Sequence, residues 1–410
     1  MDTLKRYRLY AGALCVYDLS GDAVFETMQK IFQNQDDEAF IPLQRDLCRL
    51  LLAAGSLEEY LLNAVLTNDN AFTRAAAAGK EKELPQAVQK SVVADLKKLS
   101  QLCTFSAADI FSAADDPDVR QILTTMPAWQ SVSDPARPPQ WDQQYKVFAE
   151  YHRKNGYGIF AQCSAFSWRG GALCPVHACD TIRLTDLKNY ESQRQKVIDN
   201  TESFVLGYPA NNVLLYGDRG TGKSSTVHAV LNEYAPMGLR MVELSKKSIP
   251  ELPLLFERLN DCPMKFIIFI DDLSFDKDDD SFAELKAALE GSLSARQNHT
   301  LICATTNRRH LVKETFSARD GDEVHRQDTI QEQMSLSDRF GLTVTFLNPD
   351  RKNYLEITDK LAADRGIRAG TELLHQKAER WALAKGGRSP RCAKQFIDYV
   401  ESCEKRGKSW

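Results

Sequence analysis

The spacing of apolar residues changes twice along this 410-residue chain. Up to about residue 125 they recur at intervals of three and four, as in Phe40, Leu43, Leu47, Leu50 and Leu51, and again in Leu57, Tyr60, Leu61 and Val65. That period paints a stripe along one side of an α-helix, so this part reads as helical. Ala75 to Ala78 and the segment 86–102 add strong helix formers. The run 9–17, preceded by Lys5, Arg6 and Arg8, imitates a secretion signal. Asp18 cuts it short and no small-x-small site follows, so it reads as the first strand or helix of a folded domain. The proline-rich stretch 131–141, SVSDPARPPQW, breaks the pattern and marks a linker.

Beyond the linker, 157–175 reads as two short strands around the turn Arg169-Gly170-Gly171. Helical spacing returns at 185–206, where Leu187, Tyr190, Val197, Ile198 and Val205 can share a face. From residue 213 strands and helices alternate. Strands fall at 213–216, 239–244, 266–270, 301–305 and 342–347, with helices at 223–234, 252–259 and 282–293. This alternation predicts an α/β fold, a five-stranded parallel sheet covered on both faces. Asn348-Pro349 ends it, and amphipathic segments at 354–365, 372–384 and 391–401 predict a small helical cap before a frayed tail. The expected domains are a helical 1–130, a linker with a short hairpin at 131–180, an α/β domain at 181–348 and a helical lid at 349–410.

Chemistry concentrates after the first strand of that sheet. The stretch 211–226, NNVLLYGDRGTGKSST, fits the P-loop pattern G-x-x-x-x-G-K-S/T at Gly217, Gly222, Lys223 and Ser224. Its glycines let bare backbone N–H groups approach a phosphate chain, and the helix that follows adds unpaired donors and partial positive charge. The loop Gly217, Asp218, Arg219, Gly220, Thr221, Gly222, Lys223, Ser224 and Ser225 is therefore the expected nucleotide cradle. Lys223 can reach the β- and γ-phosphates, and Ser224 can enter the shell of a magnesium ion. The strand 265–273, KFIIFIDDL, then delivers Asp271 and Asp272 at its carboxyl end, where parallel sheets bind ligands. Asp271 suits the metal and Asp272 suits orienting or deprotonating a water. Asp276, Asp278, Asp279 and Asp280 read as a solvated face.

The order of P-loop, strand, Asp-Asp strand and a strand ending in ATTN resembles the AAA+ ATPases. That resemblance implies ATP as ligand with Mg2+, and Asn307 in LICATTNRR as the sensor of the γ-phosphate or lytic water. It also implies that Arg339 in LSDRFG reaches a neighbouring subunit's nucleotide, and that Arg391 in GGRSPRCAKQF is the lid's sensor arginine. A nucleotide-dependent homo-oligomer is then expected. More closely, FIDDLSF, ATTNRRHLVKETFS, GDEVH and LSDRFGL are similar to an uncharacterised bacterial family of AAA+-type ATP-binding proteins, which carries no established substrate. Most AAA+ members have Asp-Glu where this chain has Asp271-Asp272. Helicase-loader ATPases resemble it in using Asp-Asp, so activity is still expected, at a lower rate or after a rearrangement. The acidic, polar segment 313–336 is a long loop, read either as part of a subunit or partner surface that responds to nucleotide or, equally well, as a disordered surface excursion.

Composition sets the remaining bounds. A net charge of −4 gives no global basic field, which argues against a nucleic-acid or anionic-membrane partner. No apolar run approaches the roughly 18 residues needed to span a bilayer, so a cytoplasmic protein is expected. Its ten cysteines then read mostly as small buried hydrophobes. Cys163, Cys174, His177 and Cys179 admit a zinc site, although they lack a C-x-x-C knuckle and an ordinary hairpin accounts for the segment equally well. The leading expectation is a MgATP-hydrolysing protein whose helical N-terminal part docks a protein client. The alternatives are a slow nucleotide-gated switch and a helicase-loader-like module on DNA.

Overall fold

The structure, a computed structural model, describes residues 3–132, 137–260, 262–275, 281–290, 299–307 and 339–410. The expectations for the acidic run at 276–280, for GDEVH and for the loop 313–336 lie outside these residues. Two compact units, Met1–Gln162 and Cys163–Trp410, divide the chain.

Helices build the first unit: α1 (Thr3–Gly12), α2 (Ala23–Gln33), α3 (Asp37–Leu51), α4 (Leu57–Leu66), α5 (Ala71–Ala77), α6 (Gln86–Leu102), α7 (Ala107–Ala113), α8 (Pro117–Thr125), α9 (Tyr145–Asn155) and α10 (Ile159–Gln162). Asp22, Asp36, Ser56, Asn70 and Asp116 each accept a first-turn backbone N–H, meeting donors that a helix start leaves unpaired. In α3 the buried stripe is Phe40, Gln44, Leu47 and Leu51, while Leu50 stands 39% exposed. Steps of four, three and four follow the helical turn, which leaves position 50 off the stripe. Asp95 of α6 is fully buried and accepts the N–H groups of Cys15, Val16 and Tyr17 at 2.8, 2.7 and 3.3 Å. It also pairs with Lys98 Nζ at 2.9 Å. This carboxylate fastens the loop that follows α1.

The second unit is built on one sheet with strands β1 (Ala165–Arg169), β2 (Ala172–Pro175), β3 (Val213–Gly217), β4 (Leu239–Glu243), β5 (Lys265–Ile270), β6 (Thr300–Thr306) and β7 (Leu342–Phe346). Their order is β2-β1-β4-β5-β6-β3-β7. The five strands expected from the spacing are parallel, and the hairpin adds two more on one edge, for seven. β1 lies parallel to β4 and β2 returns antiparallel. A lone hairpin is marginal in water. Phe166 and Trp168 are 1% and 2% exposed, a burial that joining the larger sheet supplies. Trp168 Nε1 also donates to Glu251 at 2.6 Å.

Helices α11 (Glu191–Val205), α12 (Lys223–Tyr234), α13 (Leu252–Asn260) and α14 (Ser281–Glu290) complete the α/β part. α11 begins at Glu191 and not near 185, because Asn189 and Tyr190 take left-handed φ of 66° and 63°. Such angles are disfavoured for residues with a Cβ and interrupt a right-handed helix. Tyr190 OH donates to the Leu347 carbonyl at 2.6 Å, a contact that holds the break in place. The lid is α15 (Arg351–Asp364), α16 (Thr371–Ala384) and α17 (Pro390–Lys405), packed on Tyr354, Ile357, Phe396, Ile397 and Val400. No described helix is long and apolar enough to cross a membrane.

One buried group makes the first unit sensitive to acid. His152 of α9 is fully buried, with Nδ1 2.9 Å from the Gly156 carbonyl and Nε2 unpartnered. Burial holds its pKa below the ordinary histidine value, against a smaller upward pull from that carbonyl. The unfolded chain therefore takes up this proton first, and stability falls as pH drops through about 6.5. The melting midpoint of the full chain should fall between about pH 7.5 and about pH 5.5, and fall less in His152→Gln. Identical pH dependence in the two proteins would contradict the assignment.

Candidate functional site: a phosphate-binding rim

Strand register brings the chemistry together. β6 lies between β5 and β3, pairing Ala304 with Ile270 on one side and Thr305 with Leu215 on the other. On the far side of β3, Gly217 pairs with Phe346 of β7. The carboxyl ends of β5, β6 and β3 therefore share one rim. The P-loop, Asp271-Asp272 and Thr305 to Asn307 all emerge there.

Glycine is required at the first position of the loop. Gly217 has φ +137°, and a Cβ there would sit 1.9 Å from the Phe346 carbonyl oxygen. Asp218 follows the same edge: its N–H donates to Phe346 O at 2.9 Å, and its carboxylate accepts the Asn348 N–H at 2.7 Å. Gly220 and Gly222 have φ of +77° and +92°. Among the described residues, no backbone acceptor takes the N–H groups of Gly220, Thr221 or Gly222. Residues Arg219 to Thr226 line a cleft of about 1010 Å³, with Asp271, Asp272, Thr305 and Asn307 on the same walls.

Lys223 is the charged centre of this rim. It is 6% exposed, and its ammonium donates to Gly217 O, Asp218 O and Asn307 Oδ1 at 2.9, 2.8 and 3.0 Å. No carboxylate among the described residues lies within ion-pair distance of it. Burial holds its pKa below the ordinary lysine value, while Asp218, Asp271 and Asp272 pull it back up from further away.

A second set of bonds joins the carboxylates to β6. Ser224 Oγ and Thr305 Oγ1 both donate to Asp271 Oδ1, at 2.6 and 2.5 Å. Thr305 Oγ1 in turn accepts the Asp272 N–H at 3.0 Å, and Asn307 Nδ2 donates to Asp272 Oδ1 at 2.6 Å. Asp272 itself has φ +50°. That conformation costs about 1–2 kcal/mol for a residue with a Cβ, and such strain clusters where function fixes geometry. The hydroxyl and carboxylate oxygens of Ser224 and Asp271 are hard donors, the chemistry that magnesium prefers. The residues present therefore fit the ion.

Thr305 was missed by sequence reasoning. The only signal was its place two residues before Asn307, and its role depends on β6 lying between the other two strands. Also missed were the wall formed by Asp180, Thr181, Ile182, Leu187 and Lys188, and the arginine Arg194. Arg391 does line the cleft, and its N–H donates to the Gly220 carbonyl at 3.1 Å, so the lid helix α17 starts against the P-loop. Arg339 does not line it. It stands before β7, at the opposite end of the sheet, separated by five strand residues or about 17 Å. Of the candidate zinc ligands, Cys163 Sγ lies 3.4 Å from His177 Nδ1, and Cys179 Sγ donates to Val176 O at 3.0 Å. Among the described residues, no three His, Cys, Asp or Glu side chains gather as a metal site.

Comparison with known proteins gives three findings. Residues 161–404 match one family model, described as a protein of unknown function (DUF815). The replication factor C large subunit of Staphylothermus marinus is 39% identical over 64 residues, which is 15% of this chain and 14% of that protein. Among solved structures, the Thermotoga maritima RuvB Holliday junction branch migration motor is 16% identical, covering 55% of this chain and 66% of that one at a TM-score of 0.36. The FIGL-1 AAA domain in complex with ADP is 18% identical, covering 56% and 76% at 0.35. The fold is an α/β sheet, mostly parallel, with a P-loop at its rim and a helical lid, and the chain belongs to the DUF815 family of proteins of unknown function.

Proposed function

We propose that this chain binds MgATP at the rim and hydrolyses it by attack of water on the γ-phosphate. The observation that carries the reading is the hydrogen-bonded chain Lys223–Asn307–Asp272 beside Ser224–Asp271–Thr305. A buried ammonium held by neutral oxygens is matched to an anion, and a triphosphate supplies it. In this reading the N–H groups of the loop cradle the phosphates, and Ser224 with Asp271 holds the ion. When bound, Mg2+ neutralises charge on the phosphate oxygens. Asp272 orients the water, Asn307 reads the γ-phosphate, and Arg391 couples the lid to it. Thr305 holds Asp271 and Asp272 in register.

Arg339 is too far from its own rim to act there. Its place favours action on the nucleotide of a neighbouring copy, so ATP would promote self-assembly. The helical first unit is the surface we assign to a protein client.

One observation favours a slower variant of this reading. Asn307 occupies an oxygen of Asp272 and also accepts from Lys223, so attack requires those bonds to separate. The chain would then act as a nucleotide-gated switch that holds ATP for long periods.

Three measurements check the proposal. Lys223→Ala and Asp272→Asn should each lower phosphate release at least about 100-fold; equal rates in all three proteins reject the enzyme reading. Thr305→Val should raise the Mg2+ concentration for half-maximal activity about 10-fold or more, with little change in melting midpoint. Unchanged Mg2+ dependence removes Thr305 from the site. Finally, Arg339→Ala mixed with Lys223→Ala should hydrolyse more ATP than either alone, because one copy lends its arginine to the other. A mixture no better than the sum of its parts counts against action between copies.

A further inference from the structure

The cleft lining includes a cation to which the phosphate chemistry above gives no role. Arg194 of α11 is 8% exposed and lines the cleft. Among the described residues its ion-pair partner is Glu191, whose carboxylate lies 3.7 Å away and is 68% exposed. That distance exceeds hydrogen-bond reach. A guanidinium carries five donors and no acceptor, so one on the cleft wall whose nearest carboxylate is out of hydrogen-bond reach has donors to offer a ligand there.

The lining is not polar throughout: Ile182, Leu187, Ile357 and Leu361 give it an aliphatic compartment. Its two sides are joined by Lys188 and Asp364, 2.7 Å apart, which link the 180–188 segment to lid helix α15. Ile357, Leu361 and Asp364 stand at steps of four and three, on one face of α15. A phosphate gains nothing against aliphatic walls, whereas a flat heteroaromatic ring buries its faces there and presents acceptors at its edge.

The segment is also held from behind. Asn232 of α12 donates through Nδ2 to two backbone carbonyls, Asp180 O at 2.7 Å and Ile182 O at 2.8 Å. It lies nine residues along the helix whose first residue is Lys223, about 14 Å away. One helix therefore presents the phosphate cradle at its start and fixes the apolar wall further along.

We propose that Arg194 reads the base of the bound nucleotide by donating to an acceptor on its edge, and that Asn232 positions the 180–182 wall of that compartment. This rests on the nucleotide-site reading above and adds a residue to it. Arg194 is a specificity residue, and Asn232 is a positioning residue that acts through the segment it holds.

The test separates base from phosphate. Calorimetric binding of ATP and of inorganic tripolyphosphate, both with Mg2+, is measured on the full chain and on Arg194→Gln, Arg194→Lys and Asn232→Ala. Arg194→Gln and Asn232→Ala should weaken ATP about 10-fold or more while leaving tripolyphosphate within about 2-fold. The retained tripolyphosphate binding also reports that the rim is folded. Unchanged ATP affinity in Arg194→Gln overturns the proposal. So does equal loss of both ligands in Arg194→Gln and Arg194→Lys, since the arginine then serves the phosphates or the fold. If the wild-type chain binds neither ligand, the nucleotide-site reading fails first.

Discussion

A lysine ammonium nearly removed from water, with carbonyl and amide oxygens around it and, among the described residues, no carboxylate in contact, is the constraint on which the second unit turns. Leaving a buried charge unpaired costs several kcal/mol. Two features make the position tolerable. Lys223 satisfies its three donors on Gly217, Asp218 and Asn307, and Asp218, Asp271 and Asp272 act on it from a distance. The remaining imbalance is what an anionic ligand corrects. Pinning Gly217 against Phe346 and seating β6 between β5 and β3 keep the carboxylates near the ammonium without letting them neutralise it.

A few bonds tie the lid, and the segment that leads into it, to the walls of the cleft. In the lid, Arg391 N–H meets Gly220 O and Asp364 pairs with Lys188; before it, Asn348 N–H meets the Asp218 carboxylate and Leu347 O accepts from Tyr190 OH. Each hydrogen bond contributes about 1 kcal/mol net, and a part-exposed ion pair about 0–1 kcal/mol. Together they amount to a few kcal/mol, on the order of a few hydrogen bonds. Lid and P-loop touch at Gly220, where a Cβ would lie 3.0 Å from Ser389 Oγ and 3.1 Å from Arg391 Cβ.

How much could be seen in the sequence depended on whether the information was local. The P-loop was legible because its glycines, lysine and serine are consecutive and their roles follow from backbone geometry. Asp271 and Asp272 were legible because they abut an apolar strand. Thr305 was not, since nothing in LICATTN says which strands flank β6. Arg194 was hidden by its residue type and not by its position: it falls on the stripe of Tyr190 and Val197, at steps of four and three, where a charged side chain is not expected. The start of α11 was misjudged because left-handed backbone at Asn189 and Tyr190 leaves no mark in hydrophobic spacing. β1 joins the sheet through pairing with β4, seventy-odd residues away, a distance over which composition carries no register.

The account's central claim is that Lys223, Asp271, Asp272 and Asn307 converge on one triphosphate. The most direct measurement is a crystal structure of the full chain with Mg2+ and a non-hydrolysable ATP analogue. The account predicts Lys223 Nζ on the β- and γ-phosphates, Ser224 Oγ within the metal's shell, and Asn307 released from Lys223 to face the γ-phosphate. A nucleotide bound elsewhere, with the Lys223–Asn307 bond intact, would contradict it.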